Sequence, residues 1–381
     1  MAQPDLKWFR DHLLTDILPN WLDASQTASG IFLPHLDREW KRVGDPVGTL
    51  VTQGRLLYNF AVGYEVTGDK AYLEAVIRGA EYLQANFYDD EHSGWHFSVD
   101  WNGEVKDDTK DSYGHAFVMF GLAHAAKLTQ HVVHTSQLTL AQAIIANFVD
   151  DFGGIRPKMT RQFSPSVDDG PIVNSQNPMM HLFEACLAAE QAMKSDAPRS
   201  MAGAIIARLF GGEYLPEDGL PELYREDWEP LPTAEGGRID IGHQFEWAYL
   251  LSRAVEMGHP KEYLVLAQTL LDYGMRVGYD STHGGIAANA SLAGTVTNPK
   301  KGWWQQCEAI RAMMHHAAIR GRNDLWAPMA QTLVYVHQHF IDPEFGGWYS
   351  SSQDQSKGNA WKVDYHVVGM CQEAIRLMDM R

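Results

Sequence analysis

The chain has 381 residues, 45% of them apolar and 21% charged, with 31 basic against 48 acidic side chains and a net charge of -17. That apolar content supports a large buried core with little disorder beyond the ends, and the acidic excess argues against nucleic acid or anionic membrane as partners. No stretch approaches the 18 or more apolar residues of a membrane span, and charge interrupts every apolar run of the first 14 residues, unlike a signal peptide, so a cytoplasmic location is expected.

In chain order, the first feature is Gln53-Gly54-Arg55, where Arg55 interrupts an otherwise apolar helical stretch. Arg55 could meet a developing oxyanion or simply make a salt bridge. Gly68-Asp-Lys-Ala-Tyr then opens a helix whose apolar residues from Tyr72 to Leu83 recur at i, i+3 and i+4, ending in a turn at Gly94-Trp95. Tyr113-Gly-His115 follows as a further candidate pair, and Asn147 to Ile155 repeats the turn with Gly154. Phe163 to Asn174 reads as a long loop able to wall a pocket.

Asn177, His181 and Glu184 fall at i, i+4 and i+7 and so share one helical face. His181 there is either a site residue or a hydrogen-bonded core histidine. The proline- and acid-rich segment from Glu213 to Asp240 reads as a second loop, with Arg238 near its end as an oxyanion or salt-bridge partner. His243 enters an apolar helix running from Gln244 to Val255, with Glu246 and Trp247 at i+3 and i+4. A carboxylate beside an imidazole raises its pKa and fixes its tautomer, so Glu246 is expected to tune His243.

A helix from Tyr263 to Tyr273 leads to the turn at Gly285, and Trp303-Trp304 with Glu308 sets flat aromatic surface beside an acceptor, the pairing that covers a sugar's C–H face while bonding its hydroxyls. Paired tryptophans can equally be core. His315-His316 and His337/His339 have spacings that do not put both rings on one face, so they are not expected to bind metal. After the turn at Gly347 and a polar loop from Ser350 to Asn359, Trp361 and Asp364 precede His366, which begins a helix reaching Met378. A polar loop meeting a buried helix is a usual place for a site residue.

The turn glycines at 94, 154, 285 and 347 are spaced 60, 131 and 62 residues apart, consistent with a unit of about 60 and a weaker turn near Phe210-Gly211-Gly212. A unit of that length holds two helices, and roughly six units fill the chain. The prediction is an all-α (α/α)6 barrel, one catalytic domain spanning 1–381, with an open solenoid of helical pairs as the rival. Cys186, Cys307 and Cys371 lie in helix-like contexts and are expected as buried free thiols of a reducing compartment. Phosphate-loop, dinucleotide, serine-hydrolase and zinc-protease signatures are all missing from the sequence.

Taken in order, Gln53-Gly54-Arg55, Tyr113-x-His115-Ala116-Phe117, Asn177-Pro178-Met179-Met180-His181-Leu182-Phe183-Glu184-Ala185, Gly242-His243-x-Phe245-Glu246-Trp247, Trp303-Trp304-x-x-x-Glu308-Ala309 and Trp361-Lys362-x-Asp364-Tyr365-His366 resemble the N-acylglucosamine 2-epimerase superfamily over nearly the whole chain. The wording leans toward its mannose isomerase branch. The resemblance implies an (α/α)6 barrel whose cavity takes an unphosphorylated monosaccharide, with His243 and His366 as general acid and base, no metal and no other cofactor. Arg55, Tyr113, Asn177, His181 and Arg238 would hold the sugar oxygens, with Glu246, Trp304, Glu308, Trp361 and Asp364 completing the shell. It implies ring opening, proton removal alpha to the carbonyl, and a cis-enediolate reprotonated at C1 to a ketose, D-mannose to D-fructose being the expected pair. Reprotonation at C2 would make the chain a 2-epimerase of the mannose/glucose or cellobiose type. A glycoside hydrolase on the same barrel would need two carboxylates across a scissile bond and would leave the histidines without purpose. No glycine-rich nucleotide loop is present, against an ATP-dependent epimerase, and a homo-oligomer stays open.

Overall fold

The computed structural model describes residues 5–44, 47–165, 172–211 and 219–380. Helices α1 (Lys7–His12) and α2 (Leu18–Ser25), joined through a π-helical turn, form the first outer rod, and α3 (Leu50–Thr67) is the first inner helix. Outer and inner then alternate: α4 (Lys70–Tyr82) and α5 (Ser112–Thr129), α6 (Val132–Ile144) and α7 (Gln176–Ala192), α8 (Ala197–Phe210) and α9 (Ile241–Glu256), α10 (Tyr263–Gly278) and α11 (Trp303–Ile319), α12 (Trp326–His339) and α13 (Tyr365–Asp379). Each inner helix packs on the next, and α13 packs back on α3, so the ring is closed and the fold is an (α/α)6 barrel rather than an open solenoid.

Burial follows from position in the ring. Inner helices are enclosed nearly all round; Leu50 through Gly63 are buried without interruption. Outer α4 and α10 keep one apolar face and one wet face. The inner layer tolerates close approach only through small residues: a Cβ on Gly54 would stand 2.1 Å from the Phe117 carbonyl oxygen, so α3 and α5 touch backbone to backbone there.

The outer helices α4, α6, α10 and α12 each feed a tight turn before the inner helix that follows. Isolated bridges Tyr88–Trp95, Val149–Ile155, Tyr279–Ile286 and Ile341–Trp348 close these turns. In each, an aspartate (Asp89, Asp150, Asp280, Asp342) accepts backbone N–H groups of the turn. Lys110, Lys301 and Lys357 then pair with Asp89, Asp280 and Asp342 at 3.0, 2.8 and 2.8 Å. Gly94, Gly285 and Gly347 adopt the left-handed φ the turn needs, but in the second turn Gly153, not Gly154, does so. Gly212 lies outside the described residues.

A second repeat ties turn to barrel. The fourth residue of four inner helices binds the backbone of the preceding turn: Gln53 to Phe32, His115 to Trp95, Gln244 to Leu220 and Gln306 to Ile286. Leu220 thus holds the same place in the fourth hairpin, α8 and α9, whose turn was expected near Gly211. Short antiparallel strands, such as Val47–Thr49 with Ser98–Asp100 and Ile239–Asp240 with Asn289–Ala290, stitch neighbouring loops at the N-terminal ends of the inner helices. The ring closes between distant residues, with Trp21 donating to Asp364 and Trp348 to His12, both at 2.9 Å. Cys186, Cys307 and Cys371 are buried and free, and no described helix is long and apolar enough to cross a membrane.

Candidate active site

Side-chain oxygens of Thr49, Asp111, Ser175 and Asp240 cap α3, α5, α7 and α9, so these helices start abruptly and their first residues face one opening. A cavity of about 410 Å³ sits there. Its upper tier comes from the first turns: Tyr113, Asn177, Trp304 and His366 are each the second residue of their helix, and His243 is the third. One turn deeper, Arg55, His181, Glu246 and Glu308 are each the sixth residue. The i, i+4 pairs 177/181 and 304/308 are therefore stacked one turn apart on α7 and on α11, though only the first pair has both members in the cavity lining. Loops add Glu222, Arg238 and Asp240 on one side and Ser350, Asn359, Trp361 and Lys362 on the other.

The two histidines stand either side of Trp304, whose ring is 4.9 Å from that of His243 and 5.5 Å from that of His366. They are tuned in opposite directions. Burial opposes charge on His243, but Glu222 at 2.6 Å from Nδ1, with Asp240 and Glu246 nearby, pushes it up to about 10. Gln176 and Ser175 donate to the same Glu222 carboxylate, which fixes it in place. His366 is driven well below the usual histidine range by burial and by the charges of Arg55 and His181. Its Nδ1 lies 2.8 Å from Glu308 Oε1, so a neutral ring donating from Nδ1 presents a bare Nε2. Burial, with the neighbouring Glu184 adding to it against Arg311, lifts Glu308 to about 7.

The other expected residues divide by depth. Arg55 is clamped by its Nη1 on the Trp361 carbonyl (2.6 Å) and Nη2 on the Tyr113 hydroxyl (2.7 Å), over the Phe117 ring. His181 meets Glu184 at 3.3 Å, and burial lowers its pKa. Arg238 reaches the cavity from its loop, and Trp361, 58% exposed, forms the rim. Asn177 Oδ1 and Arg55 Nε in the lining, and both Glu246 oxygens and Glu308 Oε2 behind it, are buried without a hydrogen-bond partner from the protein; the first two suit a ligand with hydroxyls.

Three expectations are corrected. Glu246 makes no hydrogen bond to His243 and reaches it only through charge; its carboxyl stays deeper, and burial with Glu308 nearby raises its own pKa well above normal. Glu222 makes the bond to His243 instead, and from the sequence it was only one acid within an acidic loop. Asp364 does not line the cavity: at φ +54 it turns its carboxylate to Trp21 (2.9 Å) and Lys362 (2.6 Å). Glu308 likewise lies behind His366 instead of in the wall.

Donor atoms of His181, Glu184 and Glu246, and of Glu246, Glu308 and His366, lie within 4.8 Å of one another and could in principle hold a cation. The surroundings fit one poorly. Arg311 already sits 3.6 Å from Glu308 and 4.0 Å from Glu184, so an added ion would face a fixed guanidinium. His315 and His316 are taken by Glu373, Ser252 and the Ala248 carbonyl.

The profile of the family described as N-acylglucosamine 2-epimerase (GlcNAc 2-epimerase) matches residues 30–370. A D-mannose isomerase of Marinomonas mediterranea is 25% identical over 353 residues, 87% of each chain. A cellobiose 2-epimerase of Dictyoglomus turgidum is 22% identical over 385 residues, 96% of this chain and 97% of that one. Among solved structures, a crystal structure of D-mannose isomerase superposes with a TM-score of 0.87 at 22% identity, covering 98% of this chain and all of the other, a likeness of fold.

Proposed function

The chain belongs to the N-acylglucosamine 2-epimerase family, and from that premise we propose that it interconverts a free aldose and its ketose, D-mannose and D-fructose, as one catalytic unit. The family is one of sugar isomerases and epimerases, and both kinds are among the relatives that match end to end. What carries the finer reading is the opposed tuning of two histidines across one tryptophan face. A pair whose surroundings drive its pKa values apart is an acid and a base waiting for a substrate.

His243, charged and braced by Glu222, gives a proton to the ring oxygen during opening and recovers the one that the anomeric O1 hydroxyl loses as C1 becomes a carbonyl, so it is charged again to polarise that carbonyl. His366 takes the C2 proton at Nε2 while Glu308 steadies its other nitrogen. The cis-enediolate that forms is held at O1 and O2 by Arg55, Asn177, His181 and Arg238. The base returns its proton to C1, while O1 gains a proton and O2 loses one, so the enzyme ends as it began. Trp304 and Trp361 cover the apolar faces of the sugar.

The 2-epimerase reading rests on the same histidines, since a second proton donor on the other face of an enediolate would restore C2 in inverted form. A hydrolase reading is disfavoured because Glu246 and Glu308 lie behind the wall, outside the lining that a glycosidic bond in the cavity would touch. Incubation with D-mannose in D2O decides among them. Fructose, labelled at C1 if the base exchanges with solvent, is the expected product; glucose labelled at C2 would turn the assignment to epimerisation, and unchanged sugar would remove both.

A further inference from the structure

The barrel has a second mouth. Past the layer of Arg55, His181, Glu246 and Glu308, the ninth residues of the inner helices line another cavity of about 290 Å³ at the opposite end. Its floor is Arg311, 5% exposed, whose guanidinium lies 3.8 Å over the Tyr249 ring. Arg311 Nε has no hydrogen-bond partner, and its nearest carboxylates stand off at 3.6 and 4.0 Å. Lys127, Arg253 and Arg376 bring three more cations to the wall.

Among the described residues two carboxylates line this cavity, and both are engaged. Glu184 is held by His181 and Tyr365, and Glu373 by His315 and Arg376. Lys127 pairs with Glu65, Arg253 with Glu256, and Arg376 with Glu373 and Glu256, which leaves Arg311, among the described residues, as the cation of this cavity with an unspent N–H. A buried guanidinium with an unspent N–H is costly unless an acceptor completes it. Its planar fork fits the two oxygens of an oxyanion edge.

We propose that this far-end cavity is a binding site for a small phosphate-type dianion, free or as a compact phosphomonoester, seated on Arg311 and flanked by Arg253 and Lys127. The site is separate from the sugar cavity but shares a wall with it. Arg311 also faces Glu308, whose other oxygen holds His366, so occupancy at one mouth is felt at the base beneath the other.

Orthophosphate and glycerol phosphate titrated into the full-length protein at constant ionic strength, with chloride as the balancing salt, test this by calorimetry. Saturable binding is expected that D-mannose does not displace, and the tighter of the two ligands names the source. Arg253→Gln should weaken it about tenfold, the loss of one charge-assisted contact, and Arg311→Lys at least as much. Arg238→Gln, at the other mouth, should leave it in place. Absence of saturable binding, binding unchanged by Arg253→Gln, or binding lost with Arg238→Gln would each overturn the proposal. Should Arg311→Lys not fold, Arg253→Gln decides alone, because Arg376 still engages Glu256 there.

Discussion

Glu222 and His243 are 21 residues apart, yet Oε2 of one lies 2.6 Å from Nδ1 of the other, the shortest link between a loop and an inner-helix histidine in the candidate site. Burial opposes charge on His243, and Glu222 is the foremost of the carboxylates that offset it, ahead of Asp240 and Glu246.

Replacing the acid therefore has a signed consequence. His243 works as a proton donor while protonated, so the alkaline limb of kcat/KM should lie near 10, where that proton is lost. In Glu222→Gln the limb should move down by more than about one pH unit, and kcat at pH 8 should drop about 10²-fold. A pH–rate profile checks both, and an unmoved limb would take Glu222 out of the mechanism.

On the acid side the base governs. His366 acts when neutral, and its pKa is well below 6.5, so activity should persist as pH falls through 6 before it is lost to protonation. His366→Ala should cost about 10²- to 10⁴-fold in kcat with sugar binding largely kept. Glu308→Gln, which leaves the imidazole in place, should cost less. Stopped assays with isothermal titration of the sugar separate the two effects.

Lys357 is fully buried against Asp342, which also takes a fork from Arg38. Lys357→Met should destabilise the fold by about 3 kcal/mol at pH 7, with Arg38 keeping the loss toward the lower end for a broken buried pair. Burial would raise the Asp342 carboxyl, but Arg38 and Lys357 hold it well below the ordinary range. Its contribution is thus present above about pH 4 and fades as pH falls further. Urea denaturation should show the gap between variant and parent narrowing below pH 4.

Gly54→Ala tests the tight α3–α5 contact. A methyl group 2.1 Å from the Phe117 carbonyl must push the helices apart and carry Arg55 with it. Loss of about 2–3 kcal/mol in stability is expected, together with a raised KM. Thermal melts and initial-rate kinetics measure the two.

Dialysis against EDTA should leave turnover unchanged if the paired histidines suffice. A loss restored by a divalent cation would instead place an ion on the donors around Glu246.

The architecture was legible because the glycine-turn phrase recurs with the length of a helical hairpin, and Asn177/His181 and Trp304/Glu308 were legible because four residues is one helical turn. Contacts between loops and helices obey no such period. Glu222 looked like any acid of its segment until the strand pairing of Ser175 with Leu223 brought it beneath His243. Asp364 misled for the converse reason: near His366 in sequence, it is turned away by a left-handed backbone and claimed by Trp21, 343 residues distant. Gly153 carries the left-handed φ in the second turn, which is one residue shorter between its aspartate and its bridge residue than the other three, while Gly154 is needed for a different reason: Trp228 packs where its Cβ would lie.

The Trp21–Asp364 and His12–Trp348 links also set a timetable for synthesis. The rod α1–α2 can pack on α3 early, but it meets Trp348 and Asp364 only when those residues have left the ribosome, so the nascent chain is a ring with a gap through most of its translation. His366 rides on the helix that fills that gap. An incomplete ring therefore lacks the proposed base altogether, and the apolar inner face beside the gap is the surface a chaperone would need to guard until α13 docks.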